Sequence, residues 1–189
     1  YKRCYRIDID VHQADPDLYV WKQMTPQLFA PAAAPEHCYM KAIYSDGLIH
    51  LLVNNGFNTQ LYQSADGAVW SAMEAPVGLP TPCQVRDIVQ CGNTLYYVAD
   101  SKLYTSTDLI HWTETDFSEH DYALVNMLVA FDGKAWCVLQ ERNTETLMLG
   151  VVVGEDIQPM RTVAGLADGK LPKNFPVSDF AALSFESSS

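Results

Sequence analysis

The chain has 189 residues, 48% apolar and 19% charged, and its 12 Lys+Arg against 23 Asp+Glu leave a formal charge of −11. This balance fits a folded domain with a sizeable core and excludes a disordered or collagen-like chain. There is no run of 18 apolar residues, so no membrane span is expected. The acidic surplus argues against nucleic acid as a partner, because phosphate binding needs clustered Lys and Arg.

Residues 1–14 read as a terminal strand. Ile7, Ile9 and Val11 alternate with Asp8 and Asp10, which puts the acids on a solvent face. The chain opens at Tyr1-Lys2-Arg3 in mid-strand and without an initiator Met, so it is expected to be a piece of a longer protein. Residues 15–35 carry a first Asp-x-x-x-Trp, at Asp17 and Trp21. In residues 36–80, Ile43-Tyr44-Ser45-Asp46-Gly47 leads into Leu51-Leu52-Val53, an apolar run, a Gly-containing turn and a second apolar run. Leu61-Tyr62-Gln63-Ser64-Ala65-Asp66-Gly67-Ala68-Val69-Trp70 follows. Residues 81–120 repeat the pattern: Ile88 to Gly92 leads into Tyr96-Tyr97-Val98, and then Leu103-Tyr104-Thr105-Ser106-Thr107-Asp108-Leu109-Ile110-His111-Trp112 matches the earlier segment at a spacing of 42. Residues 121–170 hold Ala130-Phe131-Asp132-Gly133, then Cys137-Val138-Leu139, and a worn copy of the motif in which Asp156 is kept and Met160 replaces the Trp. Residues 171–189 hold one more first strand, Phe175 to Phe185, of an incomplete unit.

The closing positions 21, 70, 112 and 160 are 49, 42 and 48 residues apart. About four short strands per unit, Pro-rich joints between units and no competing helical period point to an all-β fold. The expected architecture is a β-propeller of about four four-stranded repeats. Either the N-terminal strands complete a four-bladed ring with the C-terminal strand, or the chain is an arc of a larger propeller. The arc is favoured, because the chain stops just after an unfinished first strand.

Ser-x-Asp-x-x-x-Trp resembles the Asp box of bacterial neuraminidase-type repeats, one residue shorter here. The resemblance implies a turn between the third and fourth strands of a blade, with Ser64, Asp66, Ser106 and Asp108 bonding turn amides and Trp70 and Trp112 packing between blades. These residues read as scaffold. The stretch Arg3 to Asp17 followed by Trp21-Lys22-Gln23-Met24, together with Phe175 to Phe185, resembles a family of Bacteroidetes secreted or surface lipoproteins of unknown function. That resemblance implies a β domain ahead of a propeller, an extracellular, cell-surface or periplasmic location and a lipid-anchored parent. It supplies no catalytic residues.

The five arginines (Arg3, Arg6, Arg86, Arg142, Arg161) do not suggest a sialidase-type arginine triad, since only Arg86 falls on an expected inner strand. Lys41, Arg86 and Asn126 occupy comparable places on three successive first strands and are candidates for a polar channel wall. Asp87 and Asp179, also expected on first strands, are candidate channel carboxylates. Tyr39, Tyr44 and Tyr122 are candidate glycan-contacting aromatics. The five cysteines read as buried free thiols, and the five histidines as surface or turn residues. No metal spacing, P-loop or dinucleotide fingerprint occurs, so no cofactor or metal is expected. The favoured expectation is a non-catalytic module that binds a glycan or a protein partner. Two alternatives stand beside it: part of a sialidase-like glycoside hydrolase or lyase whose catalytic residues lie mostly outside this chain, and a structural or assembly module.

Overall fold

The computed structural model describes residues 5–7, 21–23, 39–54, 58–161 and 170–172. Among them are fourteen strands and one 3-10 turn, and no helix is long and apolar enough to cross a membrane. Strands β1 (Tyr5–Ile7) and β2 (Trp21–Gln23) pair antiparallel, Ile7 opposite Trp21. The remaining twelve strands form three four-stranded antiparallel sheets, each in simple chain order.

The first sheet contains β3 (Tyr39–Ser45), β4 (Leu48–Asn54), β5 (Thr59–Ser64) and β6 (Ser71–Ala72). It lies in one compact unit of the chain, and the other two sheets lie in a second. The β3–β4 turn is Asp46-Gly47, both residues at positive φ, +54° and +78°. A two-residue hairpin needs that backbone to match the strand twist, which is why Asp-Gly stands there. β4 is buried along most of its length. Leu51 and Val53 pack with Tyr62, Met40 and Trp70, and Leu52 is fully buried.

The second sheet contains β7 (Val89–Cys91), β8 (Thr94–Ala99), β9 (Lys102–Ser106) and β10 (Thr113–Asp116). The third contains β11 (Tyr122–Phe131), β12 (Lys134–Glu141), β13 (Leu147–Val153) and β14 (Asp156–Pro159). One apolar cluster joins them: Val98 and Leu103 from the second sheet meet Leu124, Met127, Ala135, Cys137 and Leu139 from the third, with Phe117 from the connector between them. Burying each large side chain of this kind is worth about 1.5–3 kcal/mol. β11 is irregular between Leu124 and Asn126 and again between Met127 and Val129. These shifts let one strand serve two faces. Leu124 and Met127 join the shared cluster, while Leu128 packs with Val138 and Leu171 on a separate one.

The outer strands are protected against edge pairing by three different means. β6 has only two residues. β10 presents Glu114, whose carboxylate takes Lys102 Nζ at 2.6 Å and the Tyr104 hydroxyl at 3.1 Å. β14 ends in Pro159.

Two close approaches in the second unit depend on glycine. The segment Pro76–Pro80 lies beside the β9–β10 turn, with the Val77 amide on Ile110 O at 2.8 Å and the Trp112 amide on Val77 O at 3.0 Å. There Gly78 has φ +88°, and a Cβ on it would stand 2.2 Å from Trp112 O. Gly150 on β13 meets Leu139 and Cys137, with Leu139 Cδ1 2.7 Å from where its Cβ would be.

Gly78→Ala is expected to cost the most, because its Cβ meets a backbone oxygen. Gly150→Ala should cost about 1–3 kcal/mol by overpacking. Gly47→Ala, which has open space around it, should lose only the left-handed penalty of about 1–2 kcal/mol. Denaturant melts of the three variants check this order, and equal losses for Gly78 and Gly47 would contradict it.

Candidate functional site

Two turns are built by the same side-chain chemistry. Between β5 and β6, Ser64 Oγ accepts the Gly67 amide at 2.8 Å and donates to Asp66 Oδ1 at 3.2 Å. Asp66 Oδ1 accepts the Ala68 and Val69 amides at 2.8 and 3.1 Å. Trp70 Nε1 closes the loop on Gly67 O at 3.1 Å. Between β9 and β10 the set recurs. Ser106 Oγ accepts Leu109 N at 3.0 Å, Asp108 Oδ1 accepts Ile110 N and His111 N at 2.9 and 2.7 Å, and Trp112 Nε1 donates to Leu109 O at 3.0 Å. The residue in the left-handed region is Gly67 in one turn and Leu109 (φ +70°) in the other. Leu109 is buried, and that burial offsets the strain.

The two turns also differ in the residue before the tryptophan. Where the first has exposed Val69, the second has His111, whose Nδ1 lies 2.7 Å from Asp108 Oδ2. This contact is the largest of the effects that hold the Asp108 carboxyl well below the usual carboxylate range. The His111 and Ile110 amides and the Ser106 hydroxyl add to it, against partial burial.

The third sheet does not repeat this turn. β13 and β14 are joined by Gly154-Glu155 alone, with Val153 opposite Asp156. Asp156 begins β14, and its carboxylate accepts the neighbouring Ile157 amide at 2.7 Å. A two-residue turn leaves no run of free amides for an aspartate to cap, and Met160 bonds back to Leu149 through its own amide at 2.8 Å.

The expected inner-strand residues are placed as follows. Lys41 stands on β3 opposite Leu52, and Asn126 on β11 opposite Val138, both half-buried. Arg86 and Asp87 are not on a strand. They lie on the 3-10 turn Val85–Asp87 ahead of a three-residue β7, with Arg86 Nε 3.4 Å from Asp87 Oδ1. The reason is burial at a spacing of three. Val85 and Ile88 are both fully buried, and a 3-10 turn eclipses i and i+3 where a strand would send them to opposite faces. Asp17 and Asp179 lie outside the described residues, and Trp21 is described as a member of β2 only. Among the described residues no three His, Cys, Asp or Glu are grouped to hold a metal.

Two thiols, Cys83 and Cys137, are fully buried, and burial pushes Cys137 up to about 12. His50 departs from the expected surface role. It sits on the central strand β4, where both faces are covered, and its buried Nδ1 has no hydrogen-bond partner.

One recess in the second unit combines aromatic and polar groups. It is lined by Phe117, His120, Tyr122, Leu124, Leu139 and Ile157. The Phe117 and His120 rings meet at 4.8 Å and 51°. Arg142 fixes the connector, with Nε on His120 O at 2.7 Å, Nη2 on Phe117 O at 3.2 Å and its amide on Asp121 O at 3.1 Å. Arg161 Nη2 donates to the Tyr122 hydroxyl at 2.6 Å. The cavity, about 20 Å³, has room for a water rather than a sugar ring, so a larger ligand would rest across its mouth. Strands alternate direction, which sets this end apart from the Ser–Asp turn. β10 ends into the connector, Tyr122 opposite Glu141 begins β11, and the β12–β13 hairpin holds Arg142. Of the sequence candidates only Tyr122 lies here. Tyr39 begins β3, while Tyr44 is 67% exposed beside the β3–β4 turn. Phe117, His120, Arg142 and Arg161 escaped sequence reading because their bonds join residues 22–39 apart, with no spacing rule to reveal them.

Residues 15–189 match the family model described as the DUF6242 beta propeller domain. The match covers nearly the whole chain, so the chain belongs to that β-propeller family, whose function is unknown, and the three sheets are its blades. No protein of curated function matches the chain.

Asp108→Ala is expected to cost on the order of 1–2 kcal/mol, as lost capping side chains do. Asp108 titrates lower in the folded state than in the unfolded one. Its contribution is therefore present above about pH 4 and fades as pH falls through the depressed folded value. Thermal melts of both proteins between pH 7 and pH 2 should show the gap narrowing in acid, and a constant gap would contradict the assignment.

Proposed function

We propose that the chain is a non-catalytic propeller module that binds a glycan or a protein partner at the end of the second unit where β11 begins. The observation that carries this reading is the recess itself. Its apolar floor of Phe117, Leu124 and Leu139 lies beside the exposed His120 ring and half-buried Tyr122, and two guanidiniums hold its rim. Glycan and peptide surfaces are both amphipathic and are met by aromatic faces with hydrogen-bonding groups beside them. The resemblance of Arg3 to Asp17 and Trp21 to Bacteroidetes surface lipoproteins supports an extracellular or cell-surface setting with a lipid-anchored parent. In that setting a glycan or a surface protein is the ligand at hand.

This reading predicts binding on a glycan array or to a protein captured by cross-linking. His120→Ala and Arg161→Gln should weaken that binding about tenfold or more, the loss of roughly one good contact. Lys41→Ala and Arg86→Ala test the channel instead. Loss confined to those two would move the site to the inner strands, and binding unaffected by all four substitutions would overturn both placements.

A further inference from the structure

The recess joins an apolar floor to an acidic rim. Phe117, Leu124, Leu139 and Ile157 supply the floor. Glu119 and Asp121 stand exposed on either side of His120 in the connector. Glu141 lies directly opposite Tyr122 and two residues beyond Leu139, so its side chain shares their face of the third sheet. Asp116 ends β10, and Glu145 lies in the β12–β13 hairpin. Among the described residues, no ion pair involves any of these five carboxylates. The arginines nearby are two, and both are engaged: Arg142 on the Phe117 and His120 carbonyls, Arg161 on the Tyr122 hydroxyl. Negative charge therefore prevails at the mouth.

A bare cation would answer the rim and leave the floor uncovered. Lys and Arg side chains answer both, because their methylene stems lie along apolar and aromatic surface while their charged heads reach carboxylates. An aromatic face under the head adds to this. Sugar rings bearing hydroxyls or carboxylates supply no cation, whereas a peptide carries basic and apolar side chains side by side. We infer that the recess takes a basic and apolar segment of a protein partner, with its Lys or Arg heads on the rim and its apolar side chains on the floor. This rests on the binding reading above and commits it to the protein arm. The rim is solvent-exposed, so the attraction weakens as salt is raised.

The test is a fluorescence-anisotropy titration of the chain with short labelled peptides in which Leu and Phe alternate with Lys, Gln or Glu. A further peptide keeps Lys and replaces Leu and Phe by Ser. At low salt the Lys peptide is expected to bind about tenfold or more tightly than the Gln peptide, and the Glu peptide more weakly still. Glu119→Gln/Asp121→Asn should weaken the Lys peptide about fivefold or more. Glu155→Gln/Asp132→Asn changes the net charge equally, at exposed turn residues on the opposite end of the third sheet, and should weaken it by less than about twofold. Equal losses in the two variants would assign the attraction to overall charge and overturn the inference. So would a Lys–Ser peptide that binds as tightly, since the floor would then take no part. A Gln peptide bound as tightly as the Lys peptide, and lost in His120→Ala, would overturn the basic preference while leaving the recess a protein site. Binding of no peptide, with a polysaccharide bound on a glycan array and lost in His120→Ala, would overturn the inference and keep the recess as the site. Binding of neither peptide nor polysaccharide would overturn both.

Discussion

A serine hydroxyl and an aspartate carboxylate holding the free amides of a short turn are what the outer half of the first two blades depends on. In each turn, three amides that would otherwise face solvent are taken up by side chains two or three residues away. The chain therefore needs no regular turn between its third and fourth strands. The tryptophan that ends the motif bonds back to the turn through its indole N–H. In the first sheet its ring packs on Leu51, Val53 and Tyr62. In the second unit the backbone of Trp112 also receives the segment Pro76–Pro80, where only glycine fits at position 78. The third blade dispenses with the device by shortening the turn to two residues, and Asp156 becomes an ordinary strand residue.

The second unit thus has two ends of different character. The Ser–Asp turn end is locked by short-range bonds, in which the Ser106 hydroxyl and the Asp108 carboxylate hold backbone amides and the His111 ring pairs with the same carboxylate. At the opposite end, an arginine reaches across more than twenty residues to hold a connector, and aromatic rings surround a recess. Function on a repeat scaffold belongs where the connections vary, since the repeated parts are occupied with packing. The proposed ligand site follows that division. His50 in the first unit, buried with an unpartnered nitrogen, is a polar group whose burial works against stability by about 1–3 kcal/mol.

The blade architecture was legible in the sequence because its signals are local. Asp-Gly hairpins at 46–47 and 132–133 announce paired strands, and the Leu-Tyr-x-Ser-x-Asp repeat fixes the period. The failures also have physical causes. Arg86 aligns with Lys41 at a spacing of 45, and it and Asp87 were expected on a strand, but burying both Val85 and Ile88 bends the chain into a 3-10 turn. Asp156 fits the motif by alignment, yet it lacks the serine and the longer loop that would give its carboxylate amides to hold. The recess was invisible apart from Tyr122, because it is assembled from a connector, strands β11, β12 and β14, and two arginines that reach it from the β12–β13 hairpin and from beyond β14.

Side-chain capture of backbone amides is what holds the first two blade turns. Amide hydrogen exchange, resolved residue by residue by NMR, tests it most directly. The account predicts that Gly67, Ala68, Val69, Leu109, Ile110 and His111 exchange far more slowly than in an unstructured peptide of the same sequence, although several of these residues are exposed. Exchange of these six amides at the unstructured rate, with the strands around them protected, would contradict it.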